Sequence, residues 1–196
     1  ESSMVRLNVL DASGVPQADH YEIHLDSSRV AAGDNFGMQI LFKNGNDEIV
    51  ITANHLLSLS LVDASTLDSV PGNLLYKSVN LENGKRTIVQ TTNAVGIIRI
   101  KVEDQINTAP GYSDPLEVYA GSVENILLEA PKNEIRALEK LMITANLTDV
   151  TGNPVPDKVV TFSVISGSGS LADTSVASDA TGKVEVEFTA GRLTEM

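Results

Sequence analysis

The sequence predicts an all-β protein made of tandem β-sandwiches, and three observations support that prediction. Apolar and polar residues alternate over short runs, which is the period of a strand with one buried face. Gly, Asn, Asp and Pro separate these runs at the spacing of sandwich strands. Aromatic residues make up only 4% of the chain and Trp is absent, so Val, Ile and Leu must fill the cores.

Length, charge and cysteine content narrow the class of protein. The 196 residues are enough for two domains of about 100 residues each. Fourteen basic and 26 acidic residues give a net charge of -12, which disfavours nucleic acid and anionic membranes as partners. There is no cysteine, so disulfides and thiolate sites are excluded.

No apolar run approaches the ~20 residues of a membrane-spanning helix. The first residues lack a signal-peptide pattern, so we expect a piece of a longer protein.

The alternating runs predict strands throughout the chain. In the first half they are residues 5–10, 21–25, 36–42, 56–63, 86–92, 96–104 and 115–121. In the second half they are 123–131, 140–149, 158–167 and 182–191. Residues 131–143 have a composition that also allows a short helix, which the flanking strands disfavour.

The domain organisation follows from these strands. Residues 20–121 are predicted to form one sandwich and residues 122–196 a second, with the junction near 120–123. Residues 1–19 are either a leading edge strand or the remnant of a preceding domain. No Pro-, Ser- or Gly-rich tether separates the sandwiches, so a short junction would hold them end to end.

Residues 122–191 resemble the bacterial immunoglobulin-like (Ig-like) domains of the intimin and invasin type. The resemblance rests on ITANLTDVTGNPVPDKVVTFSVISGSGSL and on ASDATGKVEVEFTAG. The residues that fit the family pattern are Asp149, Gly152, Asn153, Pro154, Val155, Pro156, Val160, Phe162, Val164, Gly167, Gly169, Asp179, Gly182 and Lys183. Residues 21–121 are similar to a more diverged domain of this kind. The family pattern continues with another hairpin, so the second sandwich is expected to be incomplete at its C-terminus.

The resemblance implies a non-catalytic spacer module of a bacterial cell-surface or secreted multi-domain protein, such as an adhesin stalk. Its partners would then be neighbouring Ig-like domains of the same chain, outside the cell. Two alternatives stay open. These could be accessory domains of a secreted carbohydrate-active enzyme or protease, or an adhesive module that pairs with a protein partner through an open strand edge.

Residues 148–164, TDVTGNPVPDKVVTFSV, could be either a cation loop or a turn. Asp149, Thr151 and Asn153 offer oxygen atoms at the first, third and fifth positions of a calcium loop. Such a loop needs glycine at the sixth position and glutamate at the twelfth, where this chain has Pro154 and Val160. Gly152 and Asn153 suit a hairpin turn, so we predict a turn here.

Other polar groups suggest weaker candidates for metal sites. His20, Glu22 and His24 alternate with inward-facing Tyr21, Ile23 and Leu25. The two histidines would lie about 13 Å apart on a strand and could not share an ion, so Glu22 and one histidine would need ligands from a neighbouring strand. Calcium at the domain junction is a further hypothesis, with hard oxygen ligands from Glu103, Asp104, Asp114 and Glu124.

No pattern of catalytic residues emerges from the sequence. SGSGSL (166–171) has the composition of a phosphate loop but no helix follows it, so we predict an ordinary loop. There is no GxSxG motif. Glu185 and Glu187 are expected on a solvent-facing strand surface, opposite Val184, Val186 and Phe188. We therefore predict no enzyme activity and no cofactor, and assign structural roles to Gly152, Pro154 and Gly182 in turns and to Val160, Phe162, Val164 and Phe188 in the second core.

Overall fold

The computed structural model describes residues 19–105 and 108–192, and all the regular secondary structure in these ranges is β. The chain divides between Tyr119 and Ala120 into two compact units. The expected strand at 5–10 falls outside the described residues. Within them, no helix is long and apolar enough to cross a membrane.

The described part of unit 1 contains nine strands. They are β1 (His20–Leu25), β2 (Arg29–Ala31), β3 (Phe36–Lys43), β4 (Leu56–Asp63), β5 (Ser78–Asn80), β6 (Lys85–Gln90), β7 (Gly96–Glu103), β8 (Gly111–Tyr112) and β9 (Leu116–Tyr119). One sheet has the order β1-β3-β6, and the other has the order β2-β9-β7-β4-β5, with β8 also paired to β7. The β2–β9 pair is parallel and the remaining pairs are antiparallel.

The two sheets of unit 1 enclose a single apolar core. Alternate residues of β1 and β3, such as Ile23 and Ile40, are buried in one sheet. Alternate residues of β4 and β7, such as Leu57 and Ile100, are buried in the other sheet and belong to the same cluster. Since two sheets face each other across one core, unit 1 is a β-sandwich.

Six strands form in unit 2 over residues 120–192. They are β10 (Asn125–Glu129), β11 (Lys140–Thr148), β12 (Val159–Thr161), β13 (Gly169–Leu171), β14 (Ser175–Ala177) and β15 (Lys183–Ala190). A four-stranded sheet has the order β10-β11-β15-β13, and β12 pairs with β14 in a second layer. All these pairs are antiparallel.

The core of unit 2 is much smaller than that of unit 1. Its buried cluster consists of Ala145, Leu147, Val155 and Val184. Val160 and Phe162 are partly buried against this cluster, as predicted. Val164 was predicted to lie in the core but is exposed. The pairing of β12 with β14 ends at Thr161, and Phe162 N still donates to Thr174 O, so Val164 lies beyond the last of these contacts.

Candidate functional site

The segment that begins at Asp149 forms a tight turn, as the sequence predicts. Asp149 Oδ1 accepts hydrogen bonds from Thr151 N (2.9 Å), Thr151 Oγ1 (2.8 Å) and Asn153 N (2.9 Å). Asp149 Oδ2 accepts one from Gly121 N at 2.9 Å. Gly152 adopts a φ of 85°, a left-handed conformation that glycine tolerates. The carboxylate oxygens are therefore engaged by protein donors.

Burial and hydrogen bonding act on Asp149 in opposite directions. Burial favours the neutral carboxyl and by itself would raise the pKa of Asp149. The hydrogen bonds from Gly121, Thr151 and Asn153 favour the carboxylate and outweigh burial, so the pKa is lowered below its usual value. The charged form of Asp149 thus stabilises the turn.

The same device recurs at the next hairpin of unit 2. Asp179 Oδ1 accepts hydrogen bonds from Thr181 N, Thr181 Oγ1 and Lys183 N at 2.7–3.0 Å. The Thr181 hydroxyl, followed by the Lys183 and Thr181 amides, lowers the pKa of Asp179. Asp179 is exposed whereas Asp149 is buried. The two DxTG segments therefore have the same turn geometry in different solvent environments.

One group of three side chains in the described residues has ligand atoms close enough to share a metal ion. His20, Glu22 and Asp47 place one ligand atom each within 4.8 Å of one another. Lys43 already provides a cation there, since its Nζ lies 2.8 Å from Glu22 Oε1 and 3.1 Å from Asp47 Oδ1. The Glu22 hydrogen bond, followed by that of Asp47, raises the pKa of Lys43. The ammonium thus forms ion pairs with both carboxylates.

A second polar cluster lies at the edge of the unit 1 core. Tyr21 Oη donates to Asp104 Oδ2 at 2.5 Å and lies 2.8 Å from His55 Nε2. The Asp104 side chain is 0% exposed, and its Oδ1 accepts a hydrogen bond from Thr108 N. Burial, followed by the hydrogen bond to Asp104, raises the pKa of Tyr21. The cluster thus fixes strand β1 to the chain after β7.

The four acidic calcium candidates occupy different local settings. Glu103 Oε1 lies 2.6 Å from Lys101 Nζ, and Asp104 belongs to the buried tyrosine cluster. The Asp114 carbonyl accepts a hydrogen bond from Ser113 Oγ. Glu124 belongs to unit 2, where its amide donates to Thr148 O. Calcium binding by these residues stays a prediction.

Sequence reasoning missed two partners that only the fold brings into contact with strand β1. His55 precedes β4 and reaches Tyr21 across the core layer. Asp47 lies in the loop after β3, with Oδ1 3.8 Å from His20 Nε2. Tyr21 and His55 are 34 residues apart in the sequence, and His20 and Asp47 are 27 apart. The alternating pattern of a strand extends over only a few residues, so the sequence does not indicate either contact.

An open groove in unit 1 offers little acid–base chemistry. Its volume is about 790 Å³. The lining residues are Asn35, Leu56, Leu75, Tyr76, Ser78, Val79, Asn80, Arg86, Thr87, Ile88 and Val89. This lining contains no carboxylate or imidazole group, which general acid–base catalysis most often uses.

No protein-family model and no curated protein matches the chain. Solved structures that are similar to it include the D0–D1 domains of intimin, with 18% identity, a TM-score of 0.40, and coverage of 87% of this chain and 85% of that one. The FdeC adhesin of Escherichia coli has 20% identity and a TM-score of 0.46; the match covers 89% of this chain and 57% of that one. Domains 5–6 of the S-layer protein SbsC have 16% identity, a TM-score of 0.34 and coverage of 89% and 85%. The chain is therefore similar to solved domains of intimin, the group that residues 122–191 resemble in sequence.

Proposed function

We propose that this chain is a non-catalytic spacer module of a bacterial cell-surface or secreted multi-domain protein, in the manner of an adhesin stalk. The observation that carries the proposal is the connection from one unit to the next. In unit 1, the Tyr119 carbonyl accepts a hydrogen bond from Ala32 N at 2.8 Å. In unit 2, Ala120 packs against the apolar cluster and Gly121 N donates to Asp149. Each residue of the connection is thus attached to one folded unit.

A connection of this kind suits a spacer for a simple physical reason. A linker acts as a hinge when several of its residues are free to change their backbone dihedrals. Tyr119 is attached within unit 1, and Ala120 and Gly121 are attached within unit 2, which supports a short connection. The net charge of -12 also favours solubility at high local density.

The test of this proposal is to loosen the connection and measure the distribution of shapes in solution. A Gly-Ser linker inserted between Tyr119 and Ala120 should broaden the interatomic distance distribution from small-angle X-ray scattering. The same insertion between Gly45 and Asn46, in a loop of unit 1, is the matched control. The unaltered chain should exceed the roughly 16 Å radius of gyration of a single compact globule of this length.

Two results would contradict the spacer proposal. One is a native distribution already as broad as that of the linker insertion, which would mean that the connection is flexible. The other is a radius of gyration near the compact estimate. Repeating the native measurement in calcium and in EDTA tests the calcium hypothesis separately, because an ion bound by Glu103, Asp104, Asp114 and Glu124 would make the shape depend on the chelator.

A further inference from the structure

Strand β10 lies at the end of the four-stranded sheet and pairs, among the described residues, with β11 alone. All five of its residues are exposed. Ile126, Leu127 and Leu128 are 57%, 59% and 61% exposed. Three consecutive apolar side chains on a free strand edge are unusual, because such an edge is a template for pairing with another strand.

The apolar residues of β10 occupy both faces of the sheet. Ile126 and Leu128 pair in register with Leu147 and Ala145, which are buried. They therefore lie on the core-facing side of the sheet, and Leu127 lies on the other side. Natural edge strands are commonly protected by Lys, Pro or a bulge that interrupts pairing. The β10 segment NILLE has neither Lys nor Pro.

We propose that β10 is a self-pairing edge, through which two copies of this chain join their sheets antiparallel about a two-fold axis at Leu127. This register opposes Leu127 to Leu127 of the second copy, and Ile126 to Leu128 of the second copy. This register keeps the core-facing side chains of both copies on the same side of the joined sheet. A shift of one residue would place core-facing side chains of one copy beside outward-facing side chains of the other. Glu129 lies opposite Asn125, so no like charges face each other within the strand pair.

A second copy fits this edge because the strand is complementary to itself under that symmetry. The pair is short and buries a small area, so the dimer is weak and depends on concentration. The net charge of -12 on each copy opposes association. Salt therefore strengthens the dimer by screening this repulsion. The inference goes beyond the spacer role and does not depend on it, because it rests on β10 alone.

Cysteine cross-linking tests the register directly, because the chain has no cysteine of its own. Opposed residues of an antiparallel pair have Cβ atoms about 4.5–5.5 Å apart, close to disulfide geometry. Leu127→Cys should form a disulfide dimer at least about tenfold faster than Ile165→Cys, since pairing raises the effective concentration of the thiols. Ile165 is 97% exposed and lies outside β10.

A mixture of two single variants fixes the register. Asn125→Cys and Glu129→Cys should cross-link to each other faster than either cross-links to itself. The proposal is overturned if Leu127→Cys is no faster than Ile165→Cys, or if Asn125→Cys alone reacts as fast as the mixture. Circular dichroism of each variant confirms that the fold is retained.

Sedimentation equilibrium gives an independent readout without cysteine. The mass of the unaltered chain should rise from 20.9 kDa towards twice that value as concentration increases, and more steeply at about 1 M than at about 0.1 M salt. Leu127→Lys should remain monomeric, because it places two ammonium groups opposite each other. Met142→Lys, on the same sheet face but on the inner strand β11, should behave like the unaltered chain. A monomer at every concentration, or equal masses for all three, would overturn the proposal.

Discussion

Two aspartate side chains that follow strands stabilise tight turns in unit 2. Asp149 and Asp179 both accept hydrogen bonds from a threonine two residues later and from an amide four residues later. Asp149 is buried and also holds Gly121 N, at the entry of the chain into unit 2. The two aspartates therefore provide a matched comparison of one motif in two environments.

Asp149→Asn should lower the free energy of unfolding of unit 2 by about 1–3 kcal/mol, because an amide nitrogen would leave buried donors without an acceptor. The exposed counterpart Asp179→Asn should lower it clearly less, because water can replace the lost acceptor there. Because the folded-state pKa of Asp149 is lowered, its contribution is present above the usual value of 3.8 and is lost as pH falls through the folded pKa. Urea unfolding at neutral and acidic pH measures both effects. Equal costs for the two variants would contradict this account.

Tyr21 should make unit 1 sensitive to alkali. Its folded-state pKa is raised above the usual 10.0, so its contribution is complete below that pH and is lost as the pH rises above it. Tyr21→Phe should lower stability by about 1–2 kcal/mol at neutral pH, and the difference from the unaltered chain should shrink above pH 10.0. Tyr76→Phe, at an exposed position, is the control. A constant difference across the pH range would show that Tyr21 acts by packing alone.

The strands and turns were predictable wherever the local pattern matched the final pairing. Strands β3, β4 and β7 coincide closely with the predicted runs at 36–42, 56–63 and 96–104, because alternation is complete there. Three-residue strands such as β2 and β13 were missed. Residues 169–171 were predicted to be loop but pair with β15, since a Gly-Ser segment has no apolar period and is held by its partner strand.

The two DxTG turns should differ in their tolerance of a side chain at glycine. Gly152 and Gly182 have φ values of 85° and 72°, so alanine at either position adopts a strained conformation costing about 1–2 kcal/mol. A Cβ at Gly152 would meet open space, whereas one at Gly182 would lie 2.5 Å from Leu147 O. Gly182→Ala should therefore lower the melting temperature considerably more than Gly152→Ala. Equal shifts would mean that the backbone around Gly182 adjusts freely.

At the scale of the whole molecule, the two units have separate cores of different size. Unit 1 buries residues from both sheets, and the described part of unit 2 has a smaller buried cluster of Ala145, Leu147, Val155 and Val184. Stability depends mainly on apolar area removed from water. The two units are therefore expected to differ in stability.

Unfolding of the chain should occur in two steps, with unit 2 first. Hydrogen exchange followed by mass spectrometry should show faster exchange in β10 and β12 than in β3 and β7. Ile40→Ala should shift the later transition and Val184→Ala the earlier one, since each residue belongs to one core only. A single transition that both substitutions shift equally would contradict this prediction.

The sequence by itself determined the all-β class, most of the long strands and the turns at Asp149 and Asp179, because each depends on residues near one another in the chain. The tertiary structure alone decided that Val164 is exposed, that His55 reaches Tyr21 and that, within the described residues, β10 pairs on one side only. These features depend on which strands pair and where pairing ends. Such contacts join residues far apart in sequence, and alternation along one strand contains no information about the partner that will cover it.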